Sequence, residues 1–177
     1  RQKQDWIRKH LAGWEGKVPV GFGVHLPVEG VERHVSAGSG RSVRLNADAL
    51  LVPGAPERVP ARALGFLKAR ARDRLAAACD HYAARLGRSY SGLSIRDTRS
   101  RWGSCSSAGR LMFSWRLIMA PPPVLDYVAA HEVAHLAQMN HSPAFWAEVA
   151  RIHGPYADMR GWLRSNGNEL HRFRFGD

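Results

Sequence analysis

The sequence predicts an α+β fold, and three observations predict it. Short β-like runs punctuated by Gly, Pro and Asn fill the first 60 residues, an unbroken helical periodicity spans 61–86, and a strand-like alternation then leads into three helical stretches. A length of 177 residues implies one domain. The expected layout is a β-rich segment over 1–60 with a leading helix end, joined in one compact unit to a second part over 61–177. A hydrophobic content of 45% excludes global disorder. No run reaches the ~18 apolar residues of a membrane span.

Taken in order, Trp6, Ile7 and Leu11 have the spacing of a helix end. Val18-Pro19-Val20, Val24-His25-Leu26 and Val43-Arg44-Leu45 read as short strands, with a turn at Ala37–Gly40. Leu64, Leu67, Ala71, Leu75, Ala78, Tyr82 and Leu86 step by three or four, and Gly87 follows as a C-cap. Arg70, Arg72 and Arg74 beside that seam read as a solvated face. Leu111, Phe113, Trp115 and Leu117 alternate with their neighbours, which predicts a strand over this stretch. Ser106–Gly109 would turn a hairpin whose first arm runs from Ile95 to Cys105. Pro121–Pro123 stops the strand and opens a helix expected over Val124–Met139, with further helices over Pro143–Ile152 and Tyr156–Ser165.

The net charge of +11 is uneven: residues 1–60 carry +3, 61–110 carry +8 and 111–177 are neutral. The basic 61–110 segment is therefore the expected contact for a nucleotide or nucleic acid, if there is one. Two Cys are too few for a disulfide framework, which suits a reducing, cytoplasmic setting. The chain opens on Arg1 without an initiator Met and no apolar signal stretch follows, so residue 1 is expected not to be the natural start.

The chemistry concentrates in His131-Glu132-Val133-Ala134-His135. On a helix, positions i and i+4 share a face, so two imidazoles can hold one Zn²⁺ while the Glu after the first addresses its open side. His141 follows ten residues after His131, and a left-handed Asn140 would turn the chain back toward the same ion. Three His ligands with an open fourth position describe a catalytic zinc site, with Glu132 as general base.

Around this motif stand Arg99-Ser100-Arg101-Trp102-Gly103-Ser104-Cys105, Gly109-Arg110-Leu111, Ser114-Trp115-Arg116-Leu117, Leu125-Asp126-Tyr127-Val128 and Asn140-His141-Ser142-Pro143-Ala144-Phe145-Trp146. Together they resemble the YgjP-like metallopeptidase domain, a family related to WLM and SprT-type proteases. The resemblance implies a minimal zincin-like catalytic domain over 61–177, with a small β-sheet or hairpin edge over an active-site helix. It also implies His131, His135 and His141 as ligands to one zinc ion and Glu132 as the general base. The His spacing equals that of metzincins, which carry Gly where this chain has Gln138, and their Met-turn has no counterpart here. The N-terminal β segment of the family is expected to be shortened in this chain.

Arg99–Cys105 is expected to form a strand beside the cleft, with Trp102 and Gly103 lining it and Arg99 and Arg101 meeting anionic substrate groups. Tyr156 is a further candidate for substrate contact, as a donor toward the oxyanion, and His153 is another. Cys105 reads as a small packed residue. The leading expectation is a zinc metallopeptidase acting on a peptide or protein. Alternatives are a metal-dependent nucleoside triphosphate pyrophosphatase, an activity label used within the family, and a DNA-associated WLM/SprT-like protease.

Overall fold

The computed structural model describes residues 16–176; the helix end expected at Trp6–Leu11 lies outside them. Its longest element is helix α1 (Val59–Leu86), in which Ala63, Leu67, Ala71, Leu75, Ala78 and Tyr82 form the buried seam. Gly87 ends it at φ 78°, the left-handed conformation that releases a helix C-terminus without a Cβ penalty.

Before α1 lies a four-stranded sheet of β2 (His25–Val28), β3 (Val31–Ala37), β4 (Arg44–Leu45) and β5 (Ala49–Val52), in the order β2-β3-β5-β4. Strands β3 and β5 are not among the predicted runs. β3 buries Arg33 and Val35 among exposed Val31, Glu32 and His34, so its apolar alternation is broken, and β5 is only the four residues Ala-Leu-Leu-Val. β2 and β3 join through Glu29-Gly30 at φ 52° and 75°, with Val28 paired to Val31. Positive φ at both loop residues is the signature of a tight hairpin matched to the strand twist. β1 (Val18–Pro19) pairs in parallel with β9 (Phe173–Arg174), so the two ends of the described chain meet.

Glu29 is non-Gly in a left-handed conformation, which ordinarily costs about 1 kcal/mol. Its carboxylate accepts from Arg70 Nε at 3.0 Å and Arg74 Nε at 3.1 Å, while its backbone N–H donates to the Ile118 carbonyl. The arginines read as a solvated face are therefore partly engaged: Arg70 and Arg74 fasten the hairpin tip to α1. Burial pushes the Glu29 carboxyl up, but the hydrogen bonds and charges of Arg70 and Arg74 outweigh it and the net shift is down. A depressed folded pKa gives stability that is present above the ordinary value of 4.5 and lost as pH falls below it. Glu29→Gln is thus expected to lower stability by about 1 kcal/mol at neutral pH and by almost nothing near pH ~3, read from urea midpoints at the two pH values.

After α1 comes a three-stranded sheet in which β8 (Arg110–Ser114) is central, flanked by β6 (Gly92–Arg96) in parallel and β7 (Gly103–Cys105) antiparallel. The hairpin turn at Ser106–Gly109 is present, with Gly109 at φ 77°. Its first arm is Gly103–Cys105 alone. The stretch from Ile95 is a separate strand on the far edge, and Arg99 and Arg101 precede β7 in a bend rather than within a strand. The strand expected through Ile118 ends at Ser114 and gives way to a 3₁₀ segment, Trp115–Met119. All ten residues from Leu111 to Ala120 are buried, so their alternation reported composition and not two faces.

Helix α2 (Pro122–Ala134) follows, with Pro at its first turn as expected. It stops short of Met139. Helices α3 (Pro143–His153) and α4 (Ala157–Asn166) lie close to their predicted spans, and a 3₁₀ segment (Gly167–Arg172) leads to β9. The core lies where α1 packs on α2 and on the Trp115–Met119 segment. Buried Arg116 ties the far end together, donating to both Asp97 carboxylate oxygens and to the carbonyls of Leu170 and Phe173. No helix among the described residues is long and apolar enough to cross a membrane.

Candidate metal centre

His131 and Glu132 sit in the last full turn of α2, and His135 caps it. The chain then leaves the helix through successive i→i+3 hydrogen bonds: Leu136 N–H to Val133, and Ala137 N–H to Ala134. Asn140 is not left-handed; Glu29 is the only non-Gly residue with positive φ among those described. The tight 3₁₀-like exit, not an αL residue, brings His141 back. Ser142 then caps α3, its hydroxyl accepting from Phe145 N–H at 3.3 Å.

The result is convergence. One ring nitrogen from each of His131, His135 and His141 lies within 4.8 Å of the others, and no other such group occurs among the described residues. His131 Nε2 and His141 Nε2 are 3.2 Å apart. Two nitrogens at ~2.1 Å from one tetrahedral zinc are separated by about 3.4 Å, so this donor pair has the spacing of a ligand pair. Burial holds the His131 imidazole down to about 3, helped by the charges of His135 and His141, and burial also lowers His135. Rings that resist protonation keep their lone pairs, as metal ligation requires.

The outer nitrogens are held too, by partners the motif does not reveal. His135 Nδ1 meets the Gln138 carbonyl at 2.9 Å, and His131 Nδ1 meets the Tyr127 hydroxyl at 3.4 Å. Tyr127 lies one helical turn before His131, a spacing that could have flagged it. Phe145, fully buried, stacks on His135 with ring centroids 4.3 Å apart.

Glu132 is 6% exposed, and its Oε1 lies 4.0 Å from His131 Nε2. Burial pushes its carboxyl up to about 7, against the opposing charge of Arg101. Gly103 explains how the carboxylate fits: a Cβ there would meet Glu132 Cγ at 2.9 Å. Trp102 stacks on His171 at 5.1 Å and packs against Gly167, so β7 is braced from the C-terminal segment. Arg99 and Arg101 are exposed. Tyr156 stacks between Trp146, at 5.0 Å, and Tyr127, at 6.0 Å. Cys105 stands apart from the histidine set, its thiol pushed up to about 11 by burial and the Glu132 charge. A separate cavity of about 650 Å³ opens at the start of α2, lined by Asp126, Tyr82 and His153 among others, and none of the three clustered histidines borders it.

The profile of the YgjP-like, metallopeptidase domain matches residues 1–166. The chain belongs to the YgjP-like metallopeptidase family. Among solved structures, the crystal structure of the metallopeptidase zymogen of Pyrococcus abyssi abylysin is similar to it, at 20% identity and a TM-score of 0.47, over 56% of this chain and 97% of that one. No curated protein matches the sequence. The three-histidine cluster able to take a metal lies within the matched region of this YgjP-like chain.

Proposed function

We propose that this YgjP-like domain is a zinc-dependent peptidase in which His131, His135 and His141 hold one Zn²⁺ and Glu132 is the general base. The observation that carries the proposal is the convergence of three imidazoles, with the buried Glu132 carboxylate 4.0 Å from the first of them. An all-nitrogen donor set suits zinc and is foreign to Mg²⁺ or Ca²⁺. When bound, zinc lowers the pKa of a water toward ~7 and polarises a carbonyl. Glu132 takes the proton of the attacking water and passes it to the leaving amine. β7 is an edge strand, so its free backbone groups offer an extended peptide a pairing partner. Arg99, Arg101, Trp102 and Gly103, at or just before β7, are assigned to the substrate side on that basis, and Tyr156 by its stacking on Trp146 beside the histidines.

Tyr127 and the Gln138 carbonyl orient the histidines from behind. Removing the hydroxyl in Tyr127→Phe is expected to weaken zinc binding by about ten-fold, as loss of an outer partner typically does. Competition with a chromophoric chelator reads this directly, and unchanged affinity would leave Tyr127 a packing role only.

Metal-loaded protein incubated in parallel with a denatured protein and with UTP separates the peptidase from a phosphohydrolase. Cleavage of peptide bonds, abolished by chelation and restored by Zn²⁺, is the expected result. Hydrolysis of UTP without proteolysis would overturn the proposal. Salt-sensitive binding of the chain to DNA would add a nucleic-acid partner on the basic 61–110 segment, where Arg70 and Arg74 are already shared with Glu29.

A further inference from the structure

One positive charge beside the histidine cluster has no partner. Arg160, on the second turn of α4, is exposed and holds its guanidinium carbon 4.6 Å from the centre of the Trp146 ring. Trp146 in turn lies 5.5 Å from the His131 ring and 6.1 Å from the His141 ring. The Arg160 side chain makes no hydrogen bond or ion pair among the described residues, and Asp158, two residues before it on the same helix, does not pair with it. A cationic fork fixed over an indole is oriented but not neutralised, and a planar guanidinium matches a carboxylate in two-point contact.

We propose that Arg160 binds a carboxylate of the substrate, so that the enzyme prefers acidic peptides. This rests on the peptidase reading of the same site and deepens it. Tyr156 stacks on Trp146 beside the histidines, and Arg160 stands over Trp146 like a wall's outer end. A peptide bound at the histidines would pass this wall. An acidic side chain or a C-terminal carboxylate some residues from the scissile bond would meet the guanidinium there. The contact is partly solvated, so its effect is of the order of one charge-assisted hydrogen bond, about ten-fold in kcat/KM.

The test uses zinc-loaded protein and three matched fluorogenic peptide sets. One carries Glu scanned along an amidated peptide, one carries Gln at the same positions, and one has a free C-terminal carboxylate with no acidic side chain. The expected result is a preference of about ten-fold for one of the two carboxylate sets over the Gln set. The set that gains identifies the source of the carboxylate. Arg160→Gln should bring that ratio close to one, and Arg160→Glu should invert it toward Lys-containing peptides. Cleavage of all sets at equal rates, or a preference that survives Arg160→Gln, would overturn the assignment while leaving the peptidase reading intact. Failure to cleave any peptide would overturn the peptidase reading and this inference with it.

Discussion

Glu132→Gln is expected to keep its metal and lose activity by about 10²–10⁴-fold in kcat/KM, the range that a single general base supplies. The amide has the shape of the carboxyl and so keeps its place against Gly103, but it cannot accept a proton from water. Zinc content by atomic absorption and peptide turnover on the same sample check both halves. Wild-type turnover in the variant would remove Glu132 from the mechanism. A second readout follows from burial. A carboxyl held at about 7 when folded, against 4.5 in the usual range, makes the metal-free fold progressively less stable as pH rises through that interval. The Gln variant lacks this penalty. Its metal-free form is therefore expected to exceed wild type by up to roughly 3 kcal/mol above pH 7 and to match it near pH ~4. Thermal melts of the two apoproteins across that range measure the difference.

Gly103→Ala is expected to lower kcat by about 10²-fold, because a reacting group displaced by about an ångström loses that much. The new Cβ would lie 2.9 Å from Glu132 Cγ, 3.1 Å from the Met112 carbonyl oxygen and 3.1 Å from Phe113 Cδ1. The carbonyl belongs to the β8 backbone and the ring is fully buried, so neither yields readily. The Glu132 side chain is the part that moves. A stability loss of about 1–3 kcal/mol should accompany it, from overpacking. Zinc affinity should hold, since no histidine is touched. Gly65→Ala is the control: it lies within α1 with no atom within 4 Å of a new Cβ, and should stabilise by about 0.5–1 kcal/mol. A Gly103→Ala enzyme that is less stable but equally fast would make Gly103 a packing residue with no bearing on the base.

These expectations show which parts of the molecule could be read from its residues. The histidine cluster was legible because His131 and His135 lie within five residues, where helical geometry alone decides what faces what. His141 needed one turn, and its return was anticipated although the means was not: i→i+3 bonds after Ala134 replace the left-handed Asn140. α1 was legible for the same reason as the motif, a local period sustained over seven turns. The sheets were not. The parallel pairing of β6 with β8 joins residues about 18 apart with a different strand between, and nothing in either strand names its partner. The apolar run from Leu111 to Ala120 is buried throughout, and a run without a polar face has no period to betray where the strand becomes a 3₁₀ turn. Contacts such as Tyr127 to His131 and Arg160 over Trp146 depend on rotamers, and the second crosses between helices. The solvated-face reading of Arg70 and Arg74 holds only in part, because their partner, Glu29, stands over forty residues earlier.

The bracing of Trp102 by the C-terminal segment bears on where this unit can be cut. The family match stops at residue 166, yet Gly167 and His171 are what Trp102 leans on, and Leu170 and Phe173 supply the carbonyls that satisfy buried Arg116. A boundary drawn at the end of the family profile would strip the outer side of Trp102, strand a guanidinium in the interior, and remove β9 from beside β1. The unit that holds together in this fold therefore extends past the stretch matched by the family.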